Sequence, residues 1–231
     1  MPGYALAGRA KESIASPLRR TTWFKRRLIA AYLSAHRPAK LHIGCNDHPL
    51  RGWLNTEYEW GPPPGVLYLD ATEPFPINSN TFDYVFAEHM IEHVPVAGAL
   101  RMLAECHRIL KPGGRIRIST PPLEFLLDLM MKPTAEHLRY ADYHYGEFLG
   151  DAPLKVPAAI LNDYYREWGH QFVYDRGSLT TLLQRAGFVK LEEFPINVSN
   201  DDHLRGLENE SRMPAGILAL STMTFEAEKP T

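Results

Sequence analysis

With 231 residues and 45% hydrophobic side chains, the chain is long enough to enclose a sizeable core, and a single α/β domain spanning 1–231 is the expectation. A formal net charge of −2 excludes a general attraction to nucleic acid or an anionic membrane, and only the first forty residues are locally basic. Two cysteines, Cys45 and Cys106, exclude a disulfide framework; no apolar stretch reaches membrane-spanning length and no leader-like apolar run opens the chain, so a cytoplasmic protein is expected.

The N-terminal part, 1–37, divides into a Gly- and Ser-containing tail over 1–17 that reads as weakly ordered, and an amphipathic helix from 18 to 36. Trp23, Phe24, Leu28, Ile29 and Leu33 recur at helical spacing on that helix. Its other face carries Arg19, Arg20, Lys25, Arg26 and Arg27 and is read as solvated, with a cap over a pocket or a contact for an anionic acceptor as alternatives.

Leu41 and Ile43 suit a buried strand that ends at Gly44, and Gly44 and Asn46 are the residue types that most readily take positive φ in a tight turn. A second run closes on Glu57. Ligands of open parallel sheets sit beyond the carboxyl ends of strands, and a carboxylate there can accept both hydroxyls of a ribose. A Gly- and Pro-rich spacer at 61–65 leads to a short strand, 66–70, ending on Asp70.

After a loop at 74–81, the strand Phe82-Asp-Tyr-Val-Phe-Ala87 delivers Glu88, His89, Glu92 and His93 just past its end. Pro95 suits a first helical turn, and Val96, Leu100, Leu103, Cys106 or His107, and Leu110 give one apolar face before 111–114 stops the helix. A strand at 115–119 follows. The strand and helix alternation from 18 to 120 predicts a parallel sheet covered on both faces.

Residues 121–170 break that rhythm with helical pieces rich in Tyr140, Tyr143, His144, Tyr145, Phe148, Tyr164, Tyr165 and Trp168. Aromatic rings with polar tips suit a surface that is partly wet and partly apolar, so this insertion is expected to cover an acceptor site, the alternative being ordinary helix packing. A helix at 178–187 with a Gly stop and strands at 188–194 and 217–226 close the chain.

These residues carry a resemblance. Leu41-His-Ile-Gly-Cys-Asn46, Phe82-Asp-Tyr-Val-Phe with Ile91-Glu-His-Val94, Ile109-Leu-Lys-Pro-Gly-Gly-Arg115 and Arg185-Ala-Gly-Phe188 resemble, in order and spacing, the motifs of class I S-adenosylmethionine-dependent methyltransferases (EC 2.1.1), of the group with Gly-Trp-Leu-Asn after the first motif. The resemblance covers about residues 40–194. Asn46 stands where the family has a second glycine, His42 where an acidic residue is common, and 44–57 is too short for the usual helix.

The resemblance implies a Rossmann-like, seven-stranded, mostly parallel sheet in the order 3-2-1-4-5-7-6, with helices on both faces and the aromatic insertion added. It implies S-adenosylmethionine as cofactor, with Gly44, Cys45 and Asn46 at the methionine part, Glu57 on the ribose, Asp70 and Ala71 at the adenine, and Glu88 on the cofactor side. A sulfonium cation without phosphate suits carboxylates and backbone groups better than Lys or Arg, which also disfavours a dinucleotide.

A hydroxyl acceptor on a small molecule or saccharide needs a base, for which His89 and His93 stand ready, with His144 and His170 offered by the insertion; His89, His93 and His170 are the expected catalytic set. A purely structural role for Glu92 and His93 is the bland alternative. The i, i+3, i+4 spacing of His89, Glu92 and His93 also suits a divalent ion, as in similar-looking methyltransferases of ubiquinone synthesis and small-RNA ends, but no metal is assigned. N-methylation, or a non-catalytic protein binding the cofactor or a partner, are the alternatives.

Overall fold

The computed structural model describes residues 20–58, 64–151 and 153–231; the tail over 1–17, Arg19 and residues 61–63 of the spacer lie outside the described residues. The strands are β1 (Lys40–Ile43), β2 (Leu54–Glu57), β3 (Leu67–Tyr68), β4 (Phe82–Glu88), β5 (Leu110–Thr120), β6 (Val189–Phe194) and β7 (Met223–Glu228). The helices are α1 (Thr22–Ala35), α2 (Val96–Ile109), α3 (Leu123–Met131), α4 (Ala135–His144), α5 (Pro157–Arg166), α6 (Arg176–Arg185) and the single turn α7 (Ile217–Leu220).

The sheet runs β3-β2-β1-β4-β5-β7-β6, with β7 antiparallel to both neighbours and the other pairs parallel. This is the expected order. Its register aligns Leu41 with Val85 and Val85 with Ile116, and Ile43 with Ala87 and Ala87 with Ile118, so one face is a continuous apolar surface. On it lie Ile29 of α1, Met102, Leu103 and Cys106 of α2, and Leu179 and Leu183 of α6.

Each fully buried Leu, Ile or Met on that face contributes roughly 1.5–3 kcal/mol, whereas an exposed ion pair is worth roughly 0–1 kcal/mol. Packing, not surface charge, therefore seats α2. Its buried stripe is Ala99, Met102, Leu103, Cys106 and Ile109, and Val96, read from the sequence as part of that stripe, is exposed.

The expectation of helices on both faces is met unevenly. The second face, bearing Phe86 and Arg117, is covered largely by the segment 195–212, whose Leu204 and Leu207 pack with Trp53 and Phe86. The physical reason is the length of 44–53 between β1 and β2, which leaves no room for a covering helix there. Arg117, fully buried, fixes the segment: its Nε and Nη2 donate to Glu208 at 2.7 and 3.0 Å, and Nη1 donates to Glu226 of β7 at 2.7 Å.

Two boundaries differ from the sequence reading. The strand begun at Ile217 is instead the turn α7, because Ile217 joins the packing of the helical insertion; β7 starts at Met223. The 111–114 run does end α2, but it is incorporated into β5, where Gly114 sits so close to Lys111 O and Asp83 O that a Cβ would lie 2.9 and 3.1 Å from them. Helices α3, α4, α5 and α7 enclose a second core of Phe125, Leu126, Leu129, Tyr140, Ile160, Tyr164 and Ile217. Tyr140 Oη and Tyr164 Oη share a 2.6 Å hydrogen bond inside it. Among the described residues no helix is long and apolar enough to cross a membrane.

Candidate active site

A cleft of about 490 Å³ opens at the carboxyl ends of β1 to β4. Its lining includes Gly44, Asn46, Glu57, Tyr58, Asp70, Ala71, Thr72, His89, Met90 and His93. The turn after β1 shapes one wall. Gly44 has φ +68° and Asn46 φ +44°, and a Cβ on Gly44 would lie 2.8 Å from Met90 Cγ, so glycine is required both by backbone and by space.

Cys45 N–H donates to Thr56 O at 2.9 Å, which keeps the turn in register with β2, while its side chain is buried outside the cleft lining; burial, then the Glu57 charge, pushes the thiol up to about 11. Glu57 holds the turn from the other side. Its two carboxylate oxygens accept from Asn46 N–H at 2.8 Å and Tyr58 N–H at 2.7 Å. A carboxylate offers about four lone-pair positions, so Glu57 keeps acceptor capacity for a ligand.

Asp70 Oδ1 accepts from Thr72 N–H and Thr72 Oγ1–H at 2.9 and 2.7 Å, which fixes the β3 exit, and Ala71 beside it is buried. Arg20 and Lys25 of the basic N-terminal stretch stack on Tyr68 at 4.3 and 4.9 Å from the ring centre. Part of the face read as solvated thus leans on β3. Among the described residues no Lys or Arg lines the cleft.

Glu88 is turned away from the cleft. Its carboxylate accepts from Asn209 N–H at 3.1 and 3.3 Å and pairs with Arg212, so it anchors the 195–212 segment. Alternation along β4 explains this: Glu88 shares the face of Phe86, opposite Ala87.

His89 follows β4 with φ +47°, an uncommon conformation for a non-glycine residue. Its N–H donates to Ser119 O at 2.8 Å, Nε2 lies 3.0 Å from Thr222 Oγ1, and Nδ1 lies 3.1 Å from Glu92 Oε1. Glu92 is fully buried, and its Oε2 accepts from Thr120 Oγ1 at 2.9 Å. Burial works against its ionisation, but the His89 contact and the nearby imidazoles outweigh it and hold the carboxyl below its usual range.

Ile91–His93 forms a single 3-10 turn, so His89 precedes the turn and is not on one helical face with Glu92 and His93. The donor atoms that converge within 4.8 Å of one another belong to Glu92, His93 and His170. His170 arrives because Gln171 and Phe172 N–H donate to Glu92 O at 2.7 and 3.2 Å, and its ring meets that of His93 at 4.9 Å. His144 does not join them. It is buried in the insertion with Nε2 2.8 Å from Asp163 Oδ2, and burial lowers its pKa to about 4. Among the described residues of 121–170 none lines the cleft, and Tyr140 and Tyr164 pack as core.

Residues 50–118 match the family model described as a methyltransferase domain, which spans β2 to β5 and the His89–His93 wall. Over that stretch the chain is similar to methyltransferase domains. The strand order and the reversed β7 are those of the Rossmann-like methyltransferase fold. No curated protein matches it in sequence.

Similar solved structures include a methyltransferase of Thermotoga maritima, 16% identical over 94% of this chain and 97% of that one with a TM-score of 0.48. A second, from Archaeoglobus fulgidus, is 16% identical over 93% and 97% with a TM-score of 0.49. A phosphoethanolamine N-methyltransferase of Haemonchus contortus, solved with S-adenosylhomocysteine, is 13% identical over 90% of this chain and 52% of its own length, with a TM-score of 0.49. The cleft fits S-adenosylmethionine: two carboxylates with spare acceptors, a glycine that admits close approach to the backbone, and, among the described residues, no Lys or Arg in the lining to repel a sulfonium.

The sequence motifs did not flag Tyr58, Thr72 and Met90. Tyr58 and Thr72 directly follow or flank the predicted acidic positions, which is a usable signal; Met90 is recognisable only through the space it leaves no side chain at Gly44.

Proposed function

We propose that this chain is an S-adenosylmethionine-dependent methyltransferase that acts on a hydroxyl of a small molecule or saccharide, with His89 as the base. The supporting observation is that His89 lines the cleft shared with Glu57 and Asp70 while its Nδ1 faces the buried Glu92 carboxylate. When bound, S-adenosylmethionine supplies an electrophilic methyl group on a positively charged sulfur. Gly44 and Asn46 present backbone to it, Glu57 accepts from the ribose, and Asp70 and Ala71 border the adenine.

The negative charge of Glu92, 3.1 Å from Nδ1, favours the tautomer with its proton on that nitrogen and leaves Nε2, now facing Thr222 Oγ1 at 3.0 Å, as the acceptor. A substrate hydroxyl reaching the same nitrogen gives up its proton there as its oxygen attacks. His93, exposed on the same wall, contacts the acceptor, and His170 behind it is a positioning residue. The insertion over 121–170 belongs to one domain spanning the chain and reaches the β4 wall through His170. Two buried free thiols, Cys45 and Cys106, suit a cytoplasmic setting.

The test is a screen of hydroxyl and amine acceptors read by S-adenosylhomocysteine release, repeated with His89→Ala. Turnover of a hydroxyl substrate that falls about 10²–10⁴-fold in the variant supports the reading. Turnover confined to amines, unchanged in His89→Ala, overturns it in favour of N-methylation.

A further inference from the structure

The helical insertion brings His170 to the β4 wall, and what it meets there is chemically unusual. Glu92 is fully buried, His170 is 8% exposed, and their Oε1 and Nδ1 atoms are buried without an aligned hydrogen-bond partner among the described residues. His89 Nδ1 is within 3.1 Å of Glu92 Oε1 but off the line for a hydrogen bond. Leaving a buried polar atom unsatisfied is unfavourable, and here two such atoms belong to one cluster.

Neither is Glu92 compensated by a strong cation. Among the described residues no Lys or Arg pairs with it, and its ion-pair contact is the imidazole of His89. A carboxylate with no solvent access is stable only when paired, hydrogen-bonded or bound to a metal.

We propose that Glu92, His93 and His170 form a site for one divalent transition-type cation, of the zinc or manganese class, at the acceptor side of the cleft. Two imidazole nitrogens with one carboxylate oxygen select this class over magnesium or calcium, which prefer oxygen donors throughout. The donors lie within 4.8 Å of one another, and an ion held at roughly 2.0–2.2 Å from each draws them to about 3–3.5 Å apart. His93, the exposed member, is the ring with freedom to close that gap.

The His170 ring also interacts with the Tyr164 backbone, the kind of outer contact that fixes ligand histidines. Thr120 Oγ1 does the same for Glu92 Oε2. Three protein ligands leave coordination positions open toward the cleft, where an acceptor oxygen gains an ion that lowers its proton affinity. That role, though not the binding itself, rests on the O-methylation reading above.

The full-length protein, stripped with chelator and dialysed, is loaded with Zn²⁺ or Co²⁺; bound metal is measured by elemental analysis and Co²⁺ coordination by its visible absorption. The expected result is about one ion per chain, affinity lowered at least about tenfold in His170→Ala and in Glu92→Gln, and affinity within about twofold of wild type in His89→Ala. No ion on the wild type, or equal binding by folded His170→Ala, overturns the site. Loss in His89→Ala as large as in His170→Ala overturns this ligand set. Calorimetry with S-adenosylmethionine on the same samples separates the two readings, because cofactor binding that persists without ion binding defeats only this proposal.

Discussion

Gly44, Asn46 and Glu57 act as one unit, and each can be tested singly. Ala at Gly44 adds a left-handed backbone penalty of roughly 1–2 kcal/mol and a Cβ 2.8 Å from Met90 Cγ, so Gly44→Ala is expected to weaken S-adenosylmethionine binding at least about tenfold in calorimetry with an unchanged far-UV CD spectrum. Unaltered affinity contradicts the assigned close approach. The positive φ at Gly44 and Asn46 was legible because few residue types tolerate it. Glu88 was not: a carboxylate one position before His89 looks equivalent in sequence, but β alternation sends it to the Arg212 side of the sheet. His170 was legible as a histidine in the right stretch, whereas the insertion's aromatic tips, read as a wet cover, are partly core, since Tyr140 and Tyr164 satisfy each other's hydroxyls.

At the scale of elements, the strand order followed from motif order, while the covering of the second face did not. No periodicity marks 195–212, because it is held by single polar contacts and not by an apolar stripe. Arg117 ties it to β5 and β7 through Glu208 and Glu226, both buried. Removing one member of a buried charge network costs roughly 3–5 kcal/mol, so Arg117→Ala should lower Tm by about 6–20 °C at this chain length. A shift under about 2 °C in differential scanning calorimetry contradicts the assigned anchoring.

For the whole molecule, pH stability reports the buried imidazoles His42, His144 and His170, of which His42 occupies a place between Asn55 and Phe86 on the second face. Burial lowers its pKa to about 4, with the Asn55 hydrogen bond opposing and His48 adding slightly. The unfolded chain, near 6.5, therefore binds more protons between about pH 6.5 and 4, so the stability linked to neutral His42 is complete above that window and lost as pH falls through it. On the order of 3 kcal/mol is at stake, and His42→Phe should flatten the fall of Tm over that range. An identical pH profile in the variant contradicts the assignment.

The central claim is that the cleft between Gly44, Glu57 and Asp70 holds S-adenosylmethionine. Isothermal titration of the cofactor into the full-length protein tests it most directly, with Glu57→Gln run in parallel. Saturable binding near one cofactor per chain, weakened about tenfold or more in the variant, is the predicted result; no binding by the wild type, or equal binding by both proteins, contradicts it.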